Sequence, residues 1–335
     1  MTGFRIFAAG ISLAVATGCG GSAGGVAPDG SFGAVPRAVR RDRGASWMDR
    51  DAVSRARLLY VTDGNDGDVY VLSVPTGKLV GRLSGFDQPL GDCVDRQGDV
   101  FIVNSQDGNI REFHHGAKEP FTVLNDGGYY PLGCSVDPTS GNLAVTNIIG
   151  NGNGSPPGNV AIYRRAKGRP KYYSDKKIFQ YGYCSYDALG NLYIDGITRP
   201  TFETQVAELP RAAKEFVDIA LDQSLGGNNV SALEWDGDYL AIASQDSGVI
   251  YQFAITGHSG KKTGTTRLRG ATGVGAFTIV GRTLYAPIYQ NIMGSVGVYR
   301  YPAGGKAKQQ YYAVINPWSA TLSIKQETRR SGAHL

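Results

Sequence analysis

Pro89-Leu-Gly-Asp-Cys-Val-Asp-Arg-Gln-Gly-Asp-Val-Phe-Ile-Val-Asn104 is an apolar segment, a turn built on Asp and Gly, and a second apolar segment that ends on a small polar residue. The same grammar returns in Pro131-Leu-Gly-Cys-Ser-Val-Asp-Pro-Thr-Ser-Gly-Asn-Leu-Ala-Val-Thr-Asn147 and in Tyr181-Gly-Tyr-Cys-Ser-Tyr-Asp-Ala-Leu-Gly-Asn-Leu-Tyr-Ile-Asp195. Weaker copies are Val230-Ser-Ala-Leu-Glu-Trp-Asp-Gly-Asp-Tyr-Leu-Ala-Ile-Ala-Ser244 and Gly273-Val-Gly-Ala-Phe-Thr-Ile-Val-Gly-Arg-Thr-Leu-Tyr-Ala-Pro287. The turn glycines Gly98, Gly141, Gly190, Gly237 and Gly281 lie 43, 49, 47 and 44 residues apart, the length of one four-stranded repeat unit.

Asp, Asn and Gly between short apolar runs are hairpin chemistry. Third strands follow as Gly67–Val74, Gly108–Phe113, Gly158–Tyr163, Gly248–Phe253 and Gly297–Tyr301, whose alternation of apolar and polar positions predicts half-buried strands. At the N-terminal end, Leu58–Asp63 matches a second strand with no first strand before it. At the other end, Asn316–Ile324 matches a first strand with no second strand after it. Pairing these two ends predicts an all-β fold, a six-bladed β-propeller of four-stranded antiparallel blades. Its ring is closed by the C-terminal strand entering the N-terminal blade, which removes two open sheet edges.

Composition agrees. Among 335 residues, 47 Gly and 19 Tyr against 3 Met favour many short strands over helical packing. Hydrophobic residues at 41% and charged residues at 19% allow a large core, and a formal charge of +5 demands no acidic partner. The predicted organisation is a targeting segment at 1–19, a flexible tether at 20–56, the propeller at 57–324 and a polar tail at 325–335. Arg5 followed by the apolar run Ile6–Ala16 has the form of a secretory signal. Leu13-Ala-Val-Ala-Thr-Gly-Cys19 resembles a bacterial lipobox, with Ala16 where Leu is usual. The resemblance implies a diacylated Cys19 and a protein held at the cell envelope, outside the cytoplasm, by an N-terminal lipid. Ordinary secretion is the alternative.

The pattern Pro-x-Gly-x-x-Val-Asp, Gly-Asn-Leu-Tyr-Val-x-Asn and Gly-Asn-Val-x-Val-Tyr resembles the NHL-type six-bladed propellers and their secreted bacterial relatives over residues 57–324. That superfamily holds binding modules beside metal-dependent lactonases and lyases, so the resemblance implies a fold more than an activity. The expected function is a binding or interaction scaffold for a protein, glycan or small molecule. It is expected to be a monomer with no nucleic-acid partner, no cofactor and no catalytic residue. The alternative is a lactonase- or lyase-like enzyme with a divalent cation near the channel.

In this fold the ends of the second strands are where ligands gather. Across the copies that position holds Asp63, Asn104, Asn147, Asp195 beside Gly196, Ser244 and Ile288. Carboxylates, amides and a hydroxyl suit Ca²⁺ or a polar ligand. They are equally the residues that cap strands and start turns.

Cys93, Cys134 and Cys184 fall in first strands. Counted back from the following Asp, Cys134 and Cys184 align, whereas Cys93 aligns with Ser135 and Ser185, so Cys93 points the other way. All three are expected as buried free thiols, with first strands too far apart to bridge and Cys134–Cys184 as the conceivable disulfide. The basic run Arg164–Lys177 and its counterparts Arg300–Tyr312 and His114–Phe121 are expected as hairpins between third and fourth strands. Lysines there would guard an outer edge and tyrosines would pack inward, with anionic glycan or lipid as an alternative role. Four His give no metal-ligand spacing. Gly150–Gly158 is expected as an exposed loop and Arg211–Glu215 as a short helical stretch.

Overall fold

A computed structural model describes residues 44–127, 129–150, 157–225, 230–244, 247–288 and 294–326. The targeting segment with Cys19, residues 151–156 of the expected Gly150–Gly158 loop and His334 lie outside the described residues, as do most of the expected tether and tail; the two ends of that expected loop, Gly150 and Pro157–Gly158, belong to strands. The fold is all-β and propeller-like, built of repeated antiparallel sets. The N-terminal strands are β1 (Trp47–Met48), β2 (Arg57–Asp63), β3 (Asp68–Ser73) and β4 (Leu79–Leu83). Next come β5 (Pro89–Val94), β6 (Val100–Asn104), β7 (Asn109–Phe113) and β8 (Thr122–Asn125), then β9 (Tyr129–Val136), β10 (Leu143–Gly150), β11 (Pro157–Tyr163) and β12 (Lys171–Tyr173). The third group is β13 (Ile178–Tyr186), β14 (Leu192–Thr198), β15 (Thr204–Leu209) and β16 (Val217–Leu221), and the fourth is β17 (Leu233–Trp235), β18 (Leu240–Ser244), β19 (Val249–Thr256) and β20 (Ser259–Arg269). The chain finishes with β21 (Thr278–Val280), β22 (Thr283–Ile288), β23 (Ser295–Arg300), β24 (Gly304–Tyr311) and β25 (Pro317–Ile324).

β2–β4 and each later group form antiparallel meanders, and β25 pairs antiparallel with β2 from Arg57↔Ile324 to Asp63↔Pro317. Two departures from the expected blades concern outer edges. The tether does not extend to residue 56: Trp47–Met48 adds a fifth strand onto β4, and Ala52 is buried. The second departure is that three sets form one continuous 12-stranded sheet, through short parallel pairs of Ala220–Leu221 with Ser259–Gly260 and Leu268–Arg269 with Gly305–Lys306. The reason is the length of β20. At 11 residues it overhangs both neighbours and satisfies backbone groups that an outer edge leaves open.

The expected helical stretch at Arg211–Glu215 is a turn, in which Ala213 N–H donates to Pro210 O and Ala212 has φ +64°. Third strands are more buried than alternation suggests. In β3 and β11 only Tyr70, Pro157 and Ile162 are not buried, because each sheet face is covered by a neighbouring set. Leu58, Tyr60, Val69 and Val71 thus meet Val100, Ile102 and Phe113 in one such layer, while Val103 and Ile110 meet Val145, Ala161 and Tyr163 in the next.

Candidate functional site: the central channel and the strand-end ring

Residues of β5, β9, β13, β17, β21 and β25, or beside them, line one cavity of about 140 Å³. Glycines allow this convergence. A Cβ on Gly91 would lie 2.1 Å from Leu132 O, and one on Gly133 would lie 2.9 Å from the Tyr183 ring and 3.2 Å from its Cα. Side chains at the channel tie successive first strands together. Tyr186 N–H donates to Ser135 Oγ (3.1 Å), and Trp235 N–H to Ser185 Oγ (2.9 Å). Glu234 accepts from Ile279 N–H (2.7 Å) and the Thr278 hydroxyl (3.2 Å). Ala276 N–H donates to Trp318 O, and Ala320 N–H to Ala276 O. Asp92 accepts from the Ser319 hydroxyl and the Thr321 N–H, and its own N–H donates to Ser319 Oγ.

The sixth tie is covalent. Cys93 and Cys134 form a disulfide across a Cα–Cα distance of 5.7 Å, and Cys184 is the buried free thiol among the described residues. The expectation of three free thiols is therefore corrected, and so is Cys134–Cys184 as the pair that could bridge. A bond between adjacent sets needs one side chain facing forward and one facing back. The opposite orientation of Cys93 and Cys134 supplies that, whereas Cys134 and Cys184 both face the preceding set. Cys184 accordingly packs on Ala144 and Val160, and burial first of all pushes its thiol far above its ordinary pKa.

Burial is also the largest influence on the two channel acids and lifts both to about 8. For Asp92, the Ser319 and Thr321 hydrogen bonds oppose it. For Glu234, the bonds from Ile279 and Thr278 oppose it while the charge of Asp236 adds to it. Both are held neutral at pH 7 and act as hydrogen-bonded struts. Asp92 Oδ2 alone in this pair meets no partner. Sequence reading missed both acids. The available signal was a carboxylate at Asp92 in the column that otherwise holds Cys134, Cys184 and Leu233.

The five residues expected to form a ligand ring are all buried, and none lines the channel cavity. Asp63 accepts from Asn65 N–H, Asp66 N–H and Asn316 N–H. Asn104 accepts from Asp87 N–H (2.7 Å) and donates to Asp107 and Asn109. Ser244 donates to Leu225 O (2.8 Å). These three each tie a second-strand end to the segment arriving from the preceding set. Asn147 donates to Asn159 Oδ1 (2.9 Å) and lies beside Asp126. Asp195 is one position out of register with the rest. It faces the next set, accepting from Tyr183 N–H (2.6 Å) and Ser231 N–H. Burial raises Asp195 to about 7, and burial followed by the charge of Asp66 raises Asp63 to about 6.

Away from the channel, carboxylate oxygens of Asp95, Asp99 and Glu112 lie within 4.8 Å of one another. His114 Nδ1 sits 3.0 Å from Asp99, its ring stacked on Phe121, while His115 is buried between Ser323 Oγ and Arg55 O. The basic run lies on the β11–β12 hairpin and its continuation toward β13, as expected. Tyr173 and Tyr311 pack onto buried clusters as expected, whereas Tyr172 and Tyr312 are exposed and do not pack inward; the Tyr172 hydroxyl donates to Asp126 O.

The architecture is that of a propeller-like all-β protein. Comparison with solved structures supports that class. A chain from the crystal structure of the nidogen/laminin complex is similar over 81% of this chain and 99% of its own, at 14% identity and a TM-score of 0.62. A protein of unknown function from Bacteroides caccae is similar over 81% of this chain and 100% of its own, at 12% identity and a TM-score of 0.58. At such identities the likeness is one of fold alone. No protein-family model and no curated protein sequence matches the chain.

Proposed function

We propose that the protein is a binding scaffold outside the cytoplasm, secreted or held at the envelope by a lipid on Cys19. Its body is a six-bladed, NHL-like propeller closed by β25 on β2, and it acts as a monomer without catalysis. The observation that carries the scaffold role is where the ring residues spend their hydrogen bonds. Asp63, Asn104 and Ser244 hold the segments between sets instead of converging on one point. The disulfide supports an oxidising compartment, since such bonds persist outside the cytosol. A similar fold occurs in a chain of the nidogen/laminin complex, which agrees with a role in protein binding.

Native mass spectrometry with elemental analysis on residues 20–335 is the test. The expected species is a metal-free monomer inert toward lactones and esters. A stoichiometric divalent ion that is lost on Asp63→Ala and Asn147→Ala, with turnover of either substrate, would replace the scaffold with a lactonase-like enzyme. Anchoring is tested separately, by an acyl mass on Cys19 that Cys19→Ser abolishes.

A further inference from the structure

A groove of about 360 Å³ opens on the strand-end face where β11 and β12 meet the start of β13 and the end of β14, and Lys176, Lys177 and Arg199 line it. Lys177 is already paired with Asp218, Nζ to Oδ2 at 2.6 Å. Lys176 and Arg199 are exposed and have no acidic partner among the described residues. The one acid in the lining, Asp175, accepts the N–H groups of Lys177 and Ile178.

Arg199 is held in an unusual way. Its guanidinium carbon lies 3.8 Å from the centroid of the Phe179 ring and 5.8 Å from that of Phe202. Cation–π contact fixes the plane and leaves the N–H edge directed away from the rings, the edge with which arginine forks a carboxylate or sulfate. Lys177 also lines a second groove of about 520 Å³, whose wall includes Phe202, Gln205, Gln223 and His258. The two grooves therefore adjoin, one with two unpaired cations and the other with the amides of Gln205 and Gln223, the Phe202 ring and two carboxylates, Asp218 paired with Lys177 and Glu203 accepting from the Thr201 hydroxyl.

We propose that this double groove binds an acidic polysaccharide chain, with a uronate or sulfate group on Arg199 and Lys176 and neutral hydroxyls along Gln205 and Gln223. An elongated track fits a chain, and one anion per sugar or two matches the sparse cations. Two cations would draw an anionic membrane by only about 2 kcal/mol, and a nucleic acid would need a denser row of phosphate contacts. The site gives the scaffold function proposed above its ligand class and rests on it.

The test uses residues 20–335 and four probes in calorimetric titration at low salt: tetragalacturonate, neutral maltotetraose, vesicles containing anionic phosphatidylglycerol, and a single-stranded 20-mer. The acidic oligosaccharide should bind, and added salt to 0.5 M should weaken it. Arg199→Gln should lower affinity by roughly tenfold or more, the scale of one lost charge-assisted fork. Lys176→Gln should lower it severalfold, and Lys171→Gln, in the same basic run but outside the groove, by less than twofold. Both groove residues are exposed, so the variants should melt with the parent. Equal binding of maltotetraose, preference for vesicles or the 20-mer, or indifference to Arg199→Gln would overturn the site while leaving the scaffold function standing. New reducing ends, lost in Arg199→Gln, would do the reverse: the groove would stand and the non-catalytic function would fall.

Discussion

Replacing Asp92 by Asn should make the protein more resistant to alkaline pH, and the channel geometry gives the size. The Asp92 carboxyl moves from an ordinary 3.8 to about 8 on folding because it is buried between β5 and β25. Between pH 4 and 8 the folded chain thus holds a proton there that the unfolded chain has lost. Stability must fall as pH rises across that window and level off above it. Four units at 1.36 kcal/mol each set a ceiling of about 5 kcal/mol. Asn accepts the same bonds from Ser319 and Thr321 and cannot ionise. The variant should therefore melt with the parent near pH 4.5 and exceed it progressively toward pH 8. At about 2 °C per kcal/mol for a body of this size, the gap should reach roughly 8–10 °C. Circular-dichroism melts of both proteins at half-unit pH steps measure it directly. Other buried acids cancel in the difference. A gap that stays constant from pH 5 to 8, or that favours the parent as pH rises, would refute the buried, neutral Asp92. Glu234→Gln should show the same sign, since burial lifts Glu234 to about 8 as well.

Three further outcomes are expected. Cys93→Ser with Cys134→Ser removes a cross-link spanning 41 residues and should lower stability by about 2–4 kcal/mol in chemical denaturation, and peptide mapping without reductant should find the parent pair joined and Cys184 free. Gly91→Ala should cost at least about 1–3 kcal/mol, because its Cβ meets the backbone oxygen of Leu132 and neither strand can yield without disturbing the channel; an unchanged melting temperature would contradict that contact. Truncation after Val314 leaves β2 without β25, and the exposed edge should make the chain aggregate on expression, as followed by size-exclusion chromatography.

The repeat was legible because hairpin chemistry is local. Asp95 accepts from Gln97 N–H and Asp99 N–H, and Asp187 from Leu189 N–H and Asn191 N–H, so turn residues announce themselves by spacing alone. The pairing of the chain ends was legible for a similar reason, as a strand missing at one end and left over at the other. The long overhang of β20 was not, since it depends on how far two hairpins extend past their neighbours. Nor was Arg199 between Phe179 and Phe202, whose three residues carry no shared spacing and meet only through the loops around β14.

The cysteines show the physical limit most directly. A period of two tells which side chains share a face, and it separated Cys93 from Cys134 and Cys184 correctly. It says nothing of what lies beyond that face. In an isolated sheet, opposite faces would place Cys93 and Cys134 apart. Where flat sets stack around an axis, the forward face of one set is opposed by the backward face of the next, so the opposite pair bonds and the aligned pair cannot. The same rule governs Ser135 and Ser185, which share the orientation of Cys93 and reach forward to Tyr186 and Trp235. It also governs Asp195, whose shift by one residue turns its carboxylate from the preceding set toward Ser231 in the following one. A column of equivalent positions in such a repeat is therefore a belt of neighbour-to-neighbour bonds, and a polar residue in it is first a tie between sets. A ligand site must be sought where such ties are absent and charge remains unspent, which on the strand-end face is the groove at Lys176 and Arg199.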